Sequence, residues 1–286
     1  MGLPARLLSP EPVLDTPIGP TEEVWFAMSQ AERDAFVQAA SDAIAAQQRA
    51  APEGRPHHSA KNRIRDVLGR YYQRLGRKIY LAAELEVIYP GQPTFCPDLM
   101  AVLDVEDPGE ADERMAWIVA EERRGLDLVL EIAHRGDRAK DLNHNVEQYA
   151  RLGIPEYFIY DRLKHRVLGY RLSAQAARQY EPIAPRWGML SSQVLGIDLG
   201  IKDRRLRFFT GSAELQDSDT LLTRANELLD ELEDRAEQEA QRAEQAERRA
   251  EQEAQRATVA EQRAEAALAE VAALRAQLAR LTGSGD

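Results

Sequence analysis

The chain has 286 residues, of which 44% are apolar, and this is enough for a hydrophobic core and excludes a wholly disordered protein. Its formal net charge of −11 is unevenly spread, because residues 214–286 hold 18 acidic residues and 9 arginines while residues 1–213 are almost neutral. This balance excludes a generally basic, phosphate-coating protein but allows a local basic groove.

The single cysteine and the absence of long apolar runs bear on the cellular compartment. Cys96 alone allows neither a disulfide within the chain nor a zinc site with several cysteines. No apolar run approaches the roughly 18–20 residues that a membrane span needs, and residues 1–20 lack the order of a signal peptide. We expect a cytoplasmic protein without membrane association.

The first predicted elements are a flexible arm and a helix. Residues 1–20 are rich in proline and lack periodicity, which is typical of a loose arm. Ser29 and Glu32 have the spacing of a capping box, which predicts a helix that begins there and runs to about residue 47.

A loop and a second helix follow. Proline, glycine and histidine between residues 52 and 59 predict a loop, in which His57 and His58 either contact phosphate or face solvent. An apolar stripe predicts a helix over residues 61–75, ended by Gly76. Basic residues here could contribute to a groove in a dimer: Arg63, Arg65, Arg70, Arg74, Arg77 and Lys78.

Strand patterns dominate the middle of the chain. Apolar runs predict strands over residues 78–89, 97–105, 126–133, 156–160, 166–172, 194–199 and 206–210. A helix over residues 138–152, ended by Gly153, interrupts them. Four aromatic residues are predicted to be core: Tyr149, Tyr157, Phe158 and Trp187. Strands mixed with helices in this way indicate an α/β domain, which we place at residues 21–213.

Residues 214–282 have a seven-residue repeat. One row of the repeat consists of Ala236, Ala243, Ala250, Ala257, Ala264, Val271 and Leu278. A second row, offset by three residues, contains Leu232, Leu274 and Leu281. The pattern predicts a coiled-coil helix that self-associates; the alternative is a solvated single helix held by charge pairs. Residues 283–286 are expected to be a disordered end.

Carboxylates at the ends of two predicted strands are the candidates for chemistry. Asp98 begins one apolar strand and Glu131 lies near the end of another. A buried carboxylate is costly unless it is paired or binds a cation, and two together suit Mg²⁺ or Mn²⁺. Glu84, on the preceding strand, is a candidate third carboxylate. The alternative is that each is an ordinary turn, cap or salt-bridge residue.

Four segments in order carry a resemblance to a known family: PDLMAVLDV, LVLEIAH, GDRAKDL and YARLGIPEYFIYD. They resemble the Uma-type restriction endonucleases, a branch of the PD-(D/E)xK nuclease superfamily. The resemblance runs from about residue 59 to 172. It implies an α/β fold with a mixed sheet flanked by helices, to which the C-terminal helix is appended. It also implies DNA as substrate, with Mg²⁺ or Mn²⁺ held by Asp98 and Glu131.

The chain departs from that pattern at the catalytic lysine. The lysine position after the glutamate holds Ala133, and the alternative position on the next helix, four residues after Asp141, holds Asn145. Lys140 is the nearest cation, and it either reaches the site or faces water. We expect Asp141 to support the site from its helix and Lys140 or Asn145 to position the attacking water.

Two functions remain open on the sequence alone. The first is a metal-dependent endonuclease that hydrolyses DNA phosphodiester bonds, favoured by the intact pair Asp98 and Glu131. The second is a catalytically weak or inactive nuclease-fold scaffold that acts through its coiled coil, favoured by the two empty lysine positions.

Overall fold

The computed structural model describes residues 16–50, 54–133 and 143–282 of the chain. It divides into two units, the first ending at Ser218 and the second beginning at Asp219. Within the described ranges, no helix combines the length and the apolar character that crossing a membrane requires.

Two helices precede the sheet region. Helix α1 (Glu22–Ala27) begins after Thr21, whose hydroxyl accepts the Val24 N–H. Helix α2 (Gln30–Ala50) begins with the predicted capping box, because the Ser29 N–H donates to Glu32 Oε2 at 2.7 Å and the Glu32 N–H donates to Ser29 Oγ at 3.4 Å. The prediction of a helix at this capping box is confirmed.

Helix α3 (Arg55–Leu75) starts inside the segment predicted as a loop. That part of the loop prediction is wrong, because a proline in the first turn of a helix removes only an N–H that has no helical partner. Pro56 occupies this position, and the histidines after it are helical. Gly76 ends the helix as predicted, in the left-handed conformation with φ 63°.

The central sheet has six strands. They are β1 (Ile79–Ala82), β3 (Leu99–Leu103), β5 (Leu128–Glu131), β6 (Glu156–Asp161), β7 (Arg166–Leu172) and β8 (Tyr180–Pro182). The order is β1-β3-β5-β6-β7-β8, and β5 and β6 are parallel while the other neighbouring pairs are antiparallel. The predicted mixed sheet is therefore confirmed.

The predicted strand over residues 78–89 is broken in two. Between β1 and β2 (Glu86–Ile88) the chain bends at Glu84, which has a φ of 56°. Strand β2 leaves the central sheet and pairs in parallel with β4 (Ala116–Ile118), which leads into the short helix α4 (Val119–Glu122). A 3-10 turn covers Gly109–Ala111 before β4.

A second sheet follows the central one in the chain. Its strands are β9 (Leu190–Ser192), β10 (Ile197–Lys202), β11 (Arg205–Thr210) and β12 (Ala213–Glu214). The order is β12-β11-β10-β9, with antiparallel neighbours throughout.

Each face of the central sheet carries a hydrophobic core. On one face, residues of α3 such as Ile64 and Leu68 pack with the sheet and with the second sheet. On the other face, α5 (Asn145–Leu152) packs with Trp117 and with residues of β5 and β6. Helix α5 ends at Gly153 as predicted, while the earlier part of the helix predicted over residues 138–152 lies partly outside the described residues.

Of the four aromatic residues predicted to lie in the core, three are buried and one is exposed. Tyr149, Tyr157 and Phe158 are buried. Trp187 is 97% exposed, so its assignment to the core is wrong. It lies in a turn directly before Gly188 and has a φ of 54°, so that its side chain is carried away from the strands.

Helix α6 (Ser218–Thr282) is continuous over 65 residues. Large apolar residues along it are exposed in the single chain: Leu222, Leu228, Leu229, Leu232, Val259, Leu268, Val271, Leu274 and Leu278. Self-association through residues 214–282 stays a prediction, and these are the residues that it would cover.

Candidate active site

Asp98 and Glu131 meet because of the register of β3 and β5. Leu99 lies opposite Leu130 in this antiparallel pair, so Asp98, just before β3, is adjacent to Glu131 at the end of β5. The Asp98 N–H donates to Glu131 Oε2 at 3.0 Å, and the Ile132 N–H donates to Asp98 Oδ2 at 2.6 Å. The structure thus brings together the two carboxylates that the sequence singled out.

Helix α3 supplies two further groups to the same carboxylate. His57 Nε2 lies 2.9 Å from Asp98 Oδ1, and Lys61 Nζ lies 3.3 Å from the same oxygen. Their side chains are only 4% and 2% exposed. His57 and Lys61 are one helical turn apart and therefore share a face of α3.

Sequence reasoning missed Lys61, although a signal was present. The residues His57, Lys61, Ile64 and Leu68 follow the spacing of one helical face, and all four are buried. If the predicted helix had begun about a turn and a half earlier, His57 and Lys61 would have lain on the same face as the apolar stripe, on its N-terminal side. A buried lysine in that position requires an acidic partner.

Glu84 joins the cluster through Lys61. Its carboxylate accepts a hydrogen bond from Lys61 Nζ, and its own N–H donates to the Pro97 carbonyl oxygen at 3.2 Å. The chain bends at Glu84, whose φ is 56°, and the Lys61 ammonium contacts both Glu84 and Asp98. Glu86 does not share in this, because its carboxylate bonds to Ser41 Oγ at 2.8 Å.

The surroundings of Asp98 favour its ionised form. Burial alone would raise the pKa of this carboxyl, but the hydrogen bond and charge of His57, followed by Lys61 and the Ile132 N–H, hold the pKa below its usual value. Burial raises the pKa of the Cys96 thiol, so this nearby group stays protonated and is a poor nucleophile at neutral pH.

Helix α5 fixes the second carboxylate from the opposite face of the sheet. Tyr149 Oη donates to Glu131 Oε1 at 2.8 Å. Asn145, one turn earlier on the same helix, is buried with 1% exposure. Lys140 and Asp141, predicted to act from the start of this helix, lie outside the described residues, so their roles stay predictions.

The carboxylate oxygens of Asp98 and Glu131 are ligands that suit a hard divalent cation whose remaining coordination positions are filled by water and phosphate. No group of three His, Cys, Asp or Glu side chains within residues 16–50, 54–133 and 143–282 is arranged to hold a metal. Mg²⁺, however, usually takes one or two protein carboxylates and fills its other positions with water and substrate phosphate. Among described residues Asp98 Oδ2 receives only the Ile132 N–H, which leaves this oxygen a lone pair for a cation.

Three comparisons with known proteins bear on the identity of the chain. Residues 47–202 match the model of the Uma2 family, described as "Putative restriction endonuclease". No curated protein matches the chain. A crystal structure described as "a putative nuclease belonging to DUF820 from Anabaena variabilis" is 15% identical, covers 51% of this chain and 75% of its own, and has a TM-score of 0.39. Because the family match extends over more than half of the sequence, this chain belongs to the Uma2 family of restriction-endonuclease-like proteins.

Proposed function

We propose that this protein is a metal-dependent endonuclease that hydrolyses phosphodiester bonds of DNA. The observation that carries the proposal is the contact between Asp98 and Glu131 at the sheet edge, with the Lys61 ammonium beside Asp98. Membership of a nuclease family supports the general class of reaction. The metal, the substrate and the residue roles are parts of the proposal.

Asp98 and Glu131 would hold the cation. When bound, a divalent cation neutralises a phosphate oxygen and lowers the pKa of an attacking water. His57 fixes the Asp98 carboxylate from α3, and Tyr149 fixes Glu131 from α5, so each carboxylate is oriented by a separate helix. Such outer contacts hold metal-binding side chains in one rotamer.

Lys61 would provide the fixed positive charge that Ala133 and Asn145 cannot provide. Its ammonium lies 3.3 Å from Asp98 Oδ1, and a donor placed there can stabilise negative charge that develops on a phosphate. Glu84 accepts a hydrogen bond from the same ammonium and so holds it at the edge of the site. Lys140 remains a second candidate for this role.

The test is nicking of supercoiled plasmid with Mg²⁺ or Mn²⁺ by the full chain. We expect nicking by the wild type and none by Asp98→Ala or Glu131→Ala. The matched control is Glu181→Ala, which removes an exposed carboxylate on β8. Nicking that survives both site substitutions would overturn the proposal.

A second measurement does not depend on a DNA target. A cation bound only by the folded state raises the free energy of unfolding by about 2.7 kcal/mol at one hundred times its Kd. We expect Mn²⁺ to raise the melting temperature of the wild type and of Glu181→Ala, and to have no such effect on Asp98→Ala.

An inactive scaffold is the second candidate, and the exposed apolar residues of α6 favour it. In that case Asp98, Glu131 and Lys61 form a charge cluster that serves the fold alone. The absence of both a metal-dependent melting shift and plasmid nicking in the wild type would select this candidate over the nuclease.

A further inference from the structure

A basic cleft lies beside the candidate active site. It measures about 420 Å³ and is bounded by the N-terminal half of α3, the turn between β6 and β7, and the turn between β10 and β11. We call it the arginine cleft, and its lining includes Arg63, Arg162, His165, Asp203, Arg204 and Arg205. Four arginines thus face one carboxylate in a chain whose net charge is −11.

Three of the four arginines have no acidic partner in the described part of the chain. Arg63 pairs with Asp217, with 2.9 Å between Nε and Oδ2. The side chains of Arg162, Arg204 and Arg205 form no ion pair with any residue of the described ranges.

A two-residue turn and one tertiary hydrogen bond position Arg204 and Arg205. Asp203 and Arg204 have φ values of 50° and 61° and form the two-residue turn between β10 and β11, where Lys202 lies opposite Arg205. The Tyr160 hydroxyl donates to the Arg204 carbonyl oxygen at 2.9 Å and ties this turn to β6. The hairpin tip is thus held against the central sheet at the mouth of the cleft.

The arginine cleft shares a sheet edge with the Asp98 and Glu131 carboxylates. Glu131 lies opposite Ile159 in the parallel pair of β5 and β6, and the next residue of β6, Tyr160, lines the cleft. Tyr160 belongs to the core on the α3 face of the sheet, so the cleft lies on the face that His57 and Lys61 approach. Helix α3 contributes to both places, since His57 contacts Asp98 while Pro56 and Ser59 line the cleft.

We propose that the arginine cleft binds the phosphate backbone of DNA next to the Asp98 and Glu131 carboxylates. Guanidinium groups suit phosphate because their donors match two of its oxygens. The unpaired arginines come from two separate turns, so a ligand that meets all of them carries more than one negative charge. The inference rests on the proposed nuclease function and adds to it the position of the substrate. Arg204 and Arg205 lie beyond the family match, which ends at residue 202.

The test measures DNA binding by the full chain without metal, so that no cleavage occurs. Anisotropy of a labelled duplex between about 50 and 200 mM salt gives both Kd and its salt dependence. The cleft variant is Arg162→Gln with Arg205→Gln. The matched control is Arg49→Gln with Arg186→Gln, two exposed arginines that do not line the cleft.

We expect the cleft variant to bind at least about tenfold more weakly at low salt and its log–log salt slope to fall by about 2, one for each lost phosphate contact. The control should match the wild type. Equal losses in both variants, or no loss in the cleft variant, would overturn the proposal. The proposal would also be overturned if inorganic phosphate displaced the duplex at a concentration equal to that of the phosphate groups of the duplex. That result would indicate a site for a free anion.

Failure of the cleft is distinguishable from failure of the nuclease. If plasmid nicking depends on Asp98 while the cleft variant binds DNA like the wild type, the arginine cleft is wrong and the nuclease proposal stands. If the wild type binds DNA through the cleft but shows neither nicking nor a metal-dependent melting shift, the cleft stands and the nuclease proposal falls. A wild type that does not bind the duplex at low salt overturns the cleft.

Discussion

Lys61 lies 37 residues before Asp98, yet its ammonium nitrogen lies 3.3 Å from Oδ1 of that carboxylate. The nearest lysine in the sequence to the second carboxylate, Lys140, lies nine positions after Glu131. The positive charge of the site therefore comes from the helix before the sheet, and proximity along the chain is a poor guide to it.

Replacing Lys61 tests the role of this charge. We expect Lys61→Met to slow metal-dependent nicking by about 10²–10³-fold, because removal of one preorganised donor has an effect of this size. The melting shift caused by Mn²⁺ should persist, since both carboxylates remain. The control is Lys164→Met, which removes an exposed lysine from the turn between β6 and β7. If Lys61→Met nicked DNA as fast as the wild type, Lys61 would not have this role, and another cation such as Lys140 would be the candidate.

Replacing Tyr149 tests how Glu131 is held. The Tyr149 hydroxyl donates to Glu131 Oε1 at 2.8 Å in a buried setting. We expect Tyr149→Phe to lower the free energy of unfolding by about 1.5–3 kcal/mol, as for a hydrogen bond to a charged group. Urea unfolding measures this. Tyr170→Phe is the control, because Tyr170 is half-buried and its hydroxyl has no hydrogen bond within the described residues. Equal losses in both variants would contradict the assignment.

The pH dependence of stability has a measurable contribution from Asp112. Burial alone would raise the pKa of this carboxyl, but the Tyr80 hydroxyl at 2.7 Å and the Arg114 contacts at 3.2 and 3.1 Å hold the pKa below its usual value. Because the folded pKa is the lower one, the stabilisation is complete above the unfolded pKa and is lost as the pH falls through the folded pKa. Asp112→Asn should therefore lower the urea midpoint of unfolding at pH 7, and the difference in midpoint from the wild type should shrink as the pH falls. A difference that is constant with pH would exclude this explanation.

Self-association of α6 can be tested in the full chain. Val271 and Leu274 belong to the two apolar rows of the heptad pattern, and both are exposed in the single chain. We expect Val271→Glu with Leu274→Glu to convert an oligomer into a monomer in sedimentation, since charges at such positions oppose packing. Ala272→Glu with Ala273→Glu adds the same charges off these rows and should leave the oligomer intact. A monomeric wild type would favour the solvated single helix.

Local signals were sufficient for much of the fold. The capping box at Ser29 and Glu32 and the glycines at 76 and 153 act through contacts within one turn of helix, and the predicted helix boundaries there agree with the structure. The break in the strand predicted over residues 78–89 could not be anticipated. It depends on a positive φ at Glu84 that is held by a hydrogen bond to the Pro97 carbonyl, which is a tertiary contact.

The candidate site was predictable only in part, for a related reason. Asp98 and Glu131 stand at strand ends, and their meeting follows from strand pairing alone. The position of Lys61 depends on the packing of α3 against the sheet, and the start of that helix was hidden by a proline and two histidines that are typical of a loop. The apolar stripe of α3, which includes Ile64, could be predicted from the sequence. His57 and Lys61, which lie on the same face nearer the start of the helix, were not recognised as part of that face.

Because Lys61 is buried, its amine should react more slowly with chemical reagents than the other lysines of the described ranges. Lys78 and Lys202 have side chains that are 61% and 57% exposed, whereas that of Lys61 is 2% exposed and bonded to two carboxylates. An acylating reagent will therefore modify the exposed lysines first and reach Lys61 only when α3 separates from the sheet edge. The rate of labelling at this one amine is a direct measure of how often the site opens.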